Sequence, residues 1–198
     1  GPNMVGFLRG QFGFEDQSSN TTKAFRDREH VLGDIANAEA AYVKRSNFEY
    51  ADAGYVSFKA GTASRQPTVY AAANDGMLHA FDASTGEERW AFIPTIVMPN
   101  MYKLADRNYA HEFYVDGTPT IADVKVGGNW KTILVGGLNK GGRGYYALDV
   151  TDPLNPKKLV EGFGDISVPG KSQTHSNETH SARAWVDGDN AYAVLVDD

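Results

Sequence analysis

An all-β chain built from repeated antiparallel units is the architecture to expect, and three observations lead to it. From Pro67 onward, turn signals alternate with short apolar runs, with no helix-length periodic stretch between them. The composition suits that grammar, since 21 glycines and 12% aromatic residues among 198 favour tight turns between short strands. The third observation is internal repetition. Val69-Tyr70-Ala71-Ala72 returns as Ile133-Leu134-Val135-Gly136, an offset of 64, and Ala80-Phe81-Asp82 returns as Ala147-Leu148-Asp149, an offset of 67. Gly128-Asn129 with Ile133-Leu134-Val135 returns as Asp189-Asn190 with Val194-Leu195-Val196, an offset of 61. Hairpin-linked repeats of this length without helices are the pattern of propeller blades, each burying the face its neighbour covers. A β-sandwich has similar strands but not the similarity between copies. A β-propeller is therefore the predicted fold. At about 40–45 residues per blade and about 4–8 blades, a whole propeller needs more chain than this one supplies. An incomplete portion is expected, its open blade faces and edges covered by the rest of the propeller or by a partner chain.

Residues 1–30 read as an irregular N-terminal segment, in which Gly1-Pro2 looks like a protease-cleavage scar and 17–22 like a mobile loop. The propeller portion is assigned to 31–198. Leu32-Gly33-Asp34-Ile35 leads through an Ala-rich stretch, compatible with a strand or a helical turn, to Ala41-Tyr42-Val43. Residues 68–72 read as a strand and 77–82 as its hairpin partner. Asn74-Asp75-Gly76 joins them, because Asn and Gly tolerate the positive φ of a two-residue turn. A strand at 88–93 follows the turn Ser84-Thr85-Gly86. After an insertion at 94–116, strands at 118–126, 130–136 and 144–150 resume the meander, and 152–156 turns again. A second insertion at 163–180 precedes one more hairpin, 181–186 with 191–196. Long loops on a rigid scaffold carry recognition, so both insertions are expected to make contacts.

A net charge of −6 and a pI near 5.3 argue against a nucleic-acid partner, which demands a concentrated basic surface. The densest basic cluster, Lys23-Ala24-Phe25-Arg26-Asp27-Arg28, carries its own acid. No apolar run approaches the length of a membrane span, and no charged n-region followed by an apolar h-region opens the chain. The absence of Cys removes disulfides, Cys-zinc sites, iron–sulfur clusters and thiol catalysis together.

The sharpest local motif is Ala80-x-Asp82-x-x-Thr85-Gly86-x-x-x-Trp90. Turn-formers follow one strand and an aromatic projects from the next, a layout suited to docking the indole between blades. Asp82, Thr85, Gly86 and Trp90 are thus assigned a structural role. The motif resembles the repeat of the pyrroloquinoline quinone (PQQ) type of β-propeller. A wider resemblance rests on four ordered segments: Leu32-Gly33-Asp34-Ile35; the stretch from Tyr70 through Asn74-Asp75-Gly76 to Asp82; Tyr114-Val115-Asp116-Gly117-Thr118-Pro119-Thr120; and Val135-Gly136-Gly137-Leu138-Asn139. Continuing into the run from Gly144 to Pro153, they resemble the C-terminal PQQ-like propeller of the PilC/PilY type IV pilus biogenesis family.

That resemblance implies a non-enzymatic protein secreted to the bacterial cell surface, at the pilus tip or peripheral to the outer membrane. It implies work in pilus assembly against retraction, in adhesion and in twitching motility. Pilins or minor pilins and host or surface receptors are the implied partners. Calcium is implied for the parent protein, outside this segment, and no PQQ is expected. Within the chain, Asp187, Asp189 and Asp198 are the nearest calcium candidates. An EF-hand-like loop wants oxygen ligands at positions 1, 3, 5 and 12, yet Ala191 stands at position 5 and Gly is missing from position 6. A hairpin turn at 187–190 is the favoured reading. His175, Glu178 and His180 have metal-ligand chemistry in a polar loop but lack a fixed third partner. His79 and His111 are expected to be hydrogen-bonded structural residues, and Asp75-Gly76 and Asp116-Gly117 to be turns. The glycine-rich 136–142 joins two strands, which disfavours a phosphate cradle. Arg9-Gly10-Gln11 is not the Arg-Gly-Asp that some relatives display. Two alternatives remain. One is a fragment of a PQQ- and calcium-dependent quinoprotein dehydrogenase, disfavoured by the lack of a Cys pair; the other is a PQQ-like scaffold in outer-membrane assembly, disfavoured by the long insertions.

Overall fold

The computed structural model describes residues 1–16, 18–163, 179–187 and 190–197, with residue 163 and the last two segments described by their backbone alone. The first blade is a four-stranded antiparallel sheet in the order β1 (Ala41–Val43), β2 (Thr68–Ala73), β3 (Met77–Asp82) and β4 (Glu88–Phe92). The second repeats it with β5 (Thr120–Val126), β6 (Asn129–Gly137), β7 (Gly144–Asp149) and β8 (Lys157–Phe163). β9 (Thr179–Asp187) and β10 (Asn190–Asp197) form an antiparallel hairpin. Sequential strands joined by short turns give this meander its order, and the β2–β3 turn closes at Gly76 with φ +91.

The repeat is one of pairing as well as sequence. β5 and β6 pair with Val126 opposite Asn129, and β9 and β10 with Asp187 opposite Asn190, which preserves the offset of 61. A β-bulge interrupts β3–β4 between Ala80 and Phe81, and another interrupts β7–β8 between Ala147 and Leu148, preserving the offset of 67. The offset of 64 needs correction. Thr68 pairs with Asp82 and Ile133 with Asp149, so matching the pairing displaces β2 onto β6 by 65. One residue of register exchanges the faces of a strand, and here it matters. Tyr70, Ala72, Leu78 and Ala80 bury the face of the first blade that meets the second, while Leu134, Tyr146 and Leu148 bury the face of the second that meets the first. Phe92 of β4 contacts the Tyr146 ring at 5.3 Å across that junction.

The N-terminal segment packs into the fold, although outside its one helix its described residues form only turns, bends and an isolated bridge between Glu15 and Phe25. Pro2–Leu8 forms α1, with Pro in its first turn, where no amide hydrogen is required. Phe7 and Phe25 bury themselves with Ala105, and Arg28 pairs with the buried Glu15 at 2.5 Å. The 94–116 insertion likewise differs from an open recognition loop. Its 3₁₀ segment Met98–Ala105 buries Met101, Leu104 and Ala105, and Tyr114 and Val115 complete the main core, while Met98 and Tyr102 stay exposed. A second helix, α2 (Tyr55–Gly61), stands between β1 and β2.

Candidate functional site

The four segments that carry the family resemblance lie far apart in sequence and meet at the junction of the two blades. Residues 33–39 run as a strap across it. Gly33 donates its amide to Asp75 Oδ2 at 2.9 Å, and the Asp34 carbonyl accepts from the Asn74 amide at 2.9 Å. A Cβ on Gly33 would lie 2.3 Å from the Asp75 amide nitrogen, so only glycine permits that approach. Further on, Asn37 gives its amide and its side-chain nitrogen to the two oxygens of Asp116, at 3.1 and 2.6 Å, and Glu39 gives its amide to Thr118 Oγ1. Asn74 Oδ1 accepts from the Tyr114 amide, and the Asp116 amide reaches the Leu138 carbonyl at 3.3 Å. The strap thus ties the β2–β3 turn to the entry of β5 and, through Asp116, to the end of β6.

Charge reinforces the knot. His79 is 5% exposed, with Nδ1 2.6 Å from Glu88 and Nε2 3.0 Å from Asp75. Burial disfavours the imidazolium, but Asp75 and then Glu88 outweigh it, and the His79 pKa rises above its ordinary value. At Asp34 burial opposes ionisation, while hydrogen bonds from Asn74 and His111 prevail and lower the carboxyl pKa. Both histidines occupy the hydrogen-bonded positions their sequence context suggests. A cleft of about 240 Å³ opens beside His111, lined in part by Arg26, Asp34, Asp75 and Tyr109. Its polar side chains are largely engaged: Arg26 Nε reaches the Leu104 carbonyl, and its guanidinium lies 4.3 Å from the Tyr109 ring centroid.

The blade motif has its own geometry. Asp82 Oδ1 accepts the amides of Ser84 and Thr85 at 2.7 and 3.3 Å, and these contacts, with Arg89 on Oδ2, lower its pKa. Gly86 turns the chain with φ +77. Trp90 packs on Tyr70 at 5.7 Å between centroids and donates Nε1 to the Pro153 carbonyl of the second blade at 2.8 Å. Asp149 stands where Asp82 does. It accepts the Thr151 amide at 3.0 Å and pairs with Lys131 at 2.8 Å.

Sequence reasoning missed a second buried network. Tyr55 of α2 donates to Asp123 Oδ2 at 2.8 Å, Thr132 donates to Asp123 Oδ1 at 2.7 Å, and Arg65 Nη1 donates to Thr132 Oγ1 at 2.8 Å. The aromatic spacing of Tyr55 and Phe58, one helical turn apart, was the available signal. Among the described residues, no three His, Asp or Glu side chains gather as a metal site, and no helix is long and apolar enough to cross a membrane. The metal candidates Asp187, Asp189 and Asp198, like His175, Glu178 and His180, lie outside the residues whose side chains are described, as does the 163–180 insertion except for the strand backbone at 163 and 179–180.

Two four-stranded antiparallel blades of common register, followed by a hairpin repeating the first half of the second, define a β-propeller module whose shared motifs build the contact between blades. Residues 32–184 match the family model of the PilY1 beta-propeller domain, and the chain belongs to that family. It is 44% identical over 211 residues to the type IV pilus biogenesis factor PilY1 of Pseudomonas aeruginosa strain PAK. That match covers all of this chain and 18% of the relative. A PilY1 homolog of Xylella fastidiosa is 45% identical over 190 residues, covering 86% of this chain and 15% of that protein. The chain therefore spans less than a fifth of the length of these relatives. The crystal structure of the Pseudomonas aeruginosa PilY1 C-terminal domain superposes with a TM-score of 0.51 at 41% identity, over 62% of this chain and 25% of that one.

Proposed function

We propose that this propeller segment serves type IV pilus biogenesis as a non-enzymatic assembly module at the bacterial cell surface, acting through protein–protein contacts. Pilins or minor pilins are the assembly partners, and surface receptors are the adhesive ones. The balance of pilus extension against retraction, adhesion and twitching motility are the processes it serves. The observation that carries this reading is the convergence of the four shared segments on hydrogen bonds to one another. Asp34, Asn74, Asp75 and Asp116 spend their polar atoms on the strap and the blade junction, as scaffold residues do. A rigid scaffold then presents its rim to partners.

Calcium in the longer protein belongs to the same proposal, with the 187–190 segment acting as a hairpin turn. The decisive experiment is genetic. Deleting the gene is expected to abolish surface pili, with recovery only when retraction is also disabled, and a copy carrying N37A with D116A is expected to fail in complementation. Quinone absorbance with dye-linked alcohol oxidation by the full-length protein would overturn the reading. Melting this chain with added calcium addresses the metal: no shift is expected, which would remove Asp187, Asp189 and Asp198 as ligands, and a clear rise would reopen them as candidates.

A further inference from the structure

An open cleft of about 430 Å³ lies between the end of α2 with its following turn and the β7–β8 turn of the second blade. Arg65, 8% exposed, forms part of its wall. Its guanidinium is held by two uncharged acceptors, the Lys44 carbonyl on Nε and Thr132 Oγ1 on Nη1. Among the described residues it forms no direct ion pair, and it reaches Asp123 through the hydroxyl of Thr132. Guanidinium carries five N–H donors in a rigid fork, so the Nη1–Nη2 edge retains unused donors in a fixed orientation. A buried charge without a direct counter-ion is costly. Burial accordingly pulls the Arg65 pKa below its usual value, and the nearby charge of Asp123 opposes that pull.

The rest of the wall narrows the ligand class. Ser64 and Gln66 are exposed polar neighbours on the same turn, and Phe58 with Pro153 supplies an apolar side. Arg65 is the one basic side chain among the described lining residues, and Asp152 stands opposite it in charge. The Asp152 carboxylate is turned into its own loop, accepting from the Leu154 amide at 3.0 Å and the Asn155 side chain at 2.8 Å. A single fixed positive charge matches a monoanion better than a dianion, and the Asp152 carboxylate on the same wall weighs further against a second negative charge. A guanidinium edge grips carboxylate and phosphate alike in bidentate fashion, and the single positive charge is what selects the carboxylate.

We propose that this cleft binds the carboxylate of a small acid or of a peptide end, gripped by Arg65 and flanked by Ser64 and Gln66, with Phe58 and Pro153 against the apolar remainder. The test is an NMR titration of this chain with N-acetylphenylalanine, its carboxamide, hexanoate and inorganic phosphate, followed at the Arg65 Nε and Gln66 side-chain signals. The acids are expected to bind at least about tenfold more tightly than the carboxamide and than phosphate. Tighter binding of N-acetylphenylalanine identifies a peptide end, and equal or tighter binding of hexanoate a free acid; both support the site. S64D, on an exposed side chain that leaves the core untouched, should abolish acid binding while keeping the melting temperature. Equal binding of acid and carboxamide, preference for phosphate, acid binding unchanged in S64D, or no saturation by about 10 mM acid would each overturn the proposal.

Discussion

The same register point in the two blades holds opposite chemistry. In the first, Ala71 pairs with His79; in the second, Gly136 pairs with Tyr146. Both large side chains point to the side on which a preceding blade would lie. Tyr146 meets that blade, packing against Phe92, and sits in an apolar surround that pushes its phenol pKa well up. His79 instead sits between two carboxylates, one of which, Asp75, accepts the Gly33 amide of the strap. The repeat dictates backbone and bulge, and the neighbour dictates what the side chain must be. That is why Gly is needed opposite the Tyr ring while Ala suffices opposite the smaller imidazole.

Breaking the second blade's pair should have the largest effect. A Cβ at position 136 would lie 2.2 Å from the Tyr146 ring, so G136V must displace a ring packed inside the core. A loss of about 3 kcal/mol or more in urea unfolding is expected. The mirror change, A71G, should cost only about 0.5–1 kcal/mol, through backbone entropy. Similar losses for the two would mean that the sheets tolerate both positions alike and would dissolve the contrast.

His79 comes next. H79L strands Asp75 and Glu88 near each other, and about 2 kcal/mol should be lost near pH 6, held down by the solvent exposure of Glu88. The sign of the pH dependence follows from a raised folded pKa. The stabilisation by His79 is complete below the ordinary value of 6.5 and disappears as pH rises through the raised folded value. Unfolding free energy measured from pH 5 to 8 should therefore fall across that window in the native chain, relative to H79L. Parallel profiles would show that the imidazolium contributes nothing.

Trp90 links the blades more gently. W90F keeps a ring against Tyr70 and removes the bond to the Pro153 carbonyl. About 1 kcal/mol should be lost. Retained stability would mean that the indole acts by packing alone.

Much of the blade pattern was legible because turns and alternation are local. Residues 77–82 match β3 at both ends, and the offset of 61 survives as pairing. What local signals miss is which face has a neighbour. Aligning Tyr70 with Leu134 matched one buried residue to another, but the two lie on opposite faces of their blades, since each buries the side turned to the other. α1, α2 and β8 escaped for a related reason. Pro2–Leu8 and Tyr55–Gly61 are short, and their stability comes from Phe7 packed in the second core and from Tyr55 bonded to Asp123, contacts made with distant parts of the chain. At the site, Asp34, Asp75 and Asp116 each stood in a shared motif, yet only the strap shows that they bind one another's segments.

The smallest effect is the most informative about the second blade. The Tyr146 hydroxyl is buried and finds no hydrogen-bond partner among the described residues, so its desolvation is uncompensated there. Removing a polar atom that makes no bond takes away a cost rather than a contact. Y146F should therefore leave stability within about 0.5 kcal/mol of the native chain or raise it, and the ring should still hold position 136 closed to larger residues. G136V combined with Y146F should then recover only part of the G136V loss, because the ring carbon Cζ and the hydroxyl oxygen both lie 2.2 Å from a Cβ at position 136 and a phenylalanine keeps the first of these obstacles. A loss above about 1 kcal/mol in Y146F would instead reveal a bonded hydroxyl, and the junction would then be polar at the point where the first blade carries its histidine.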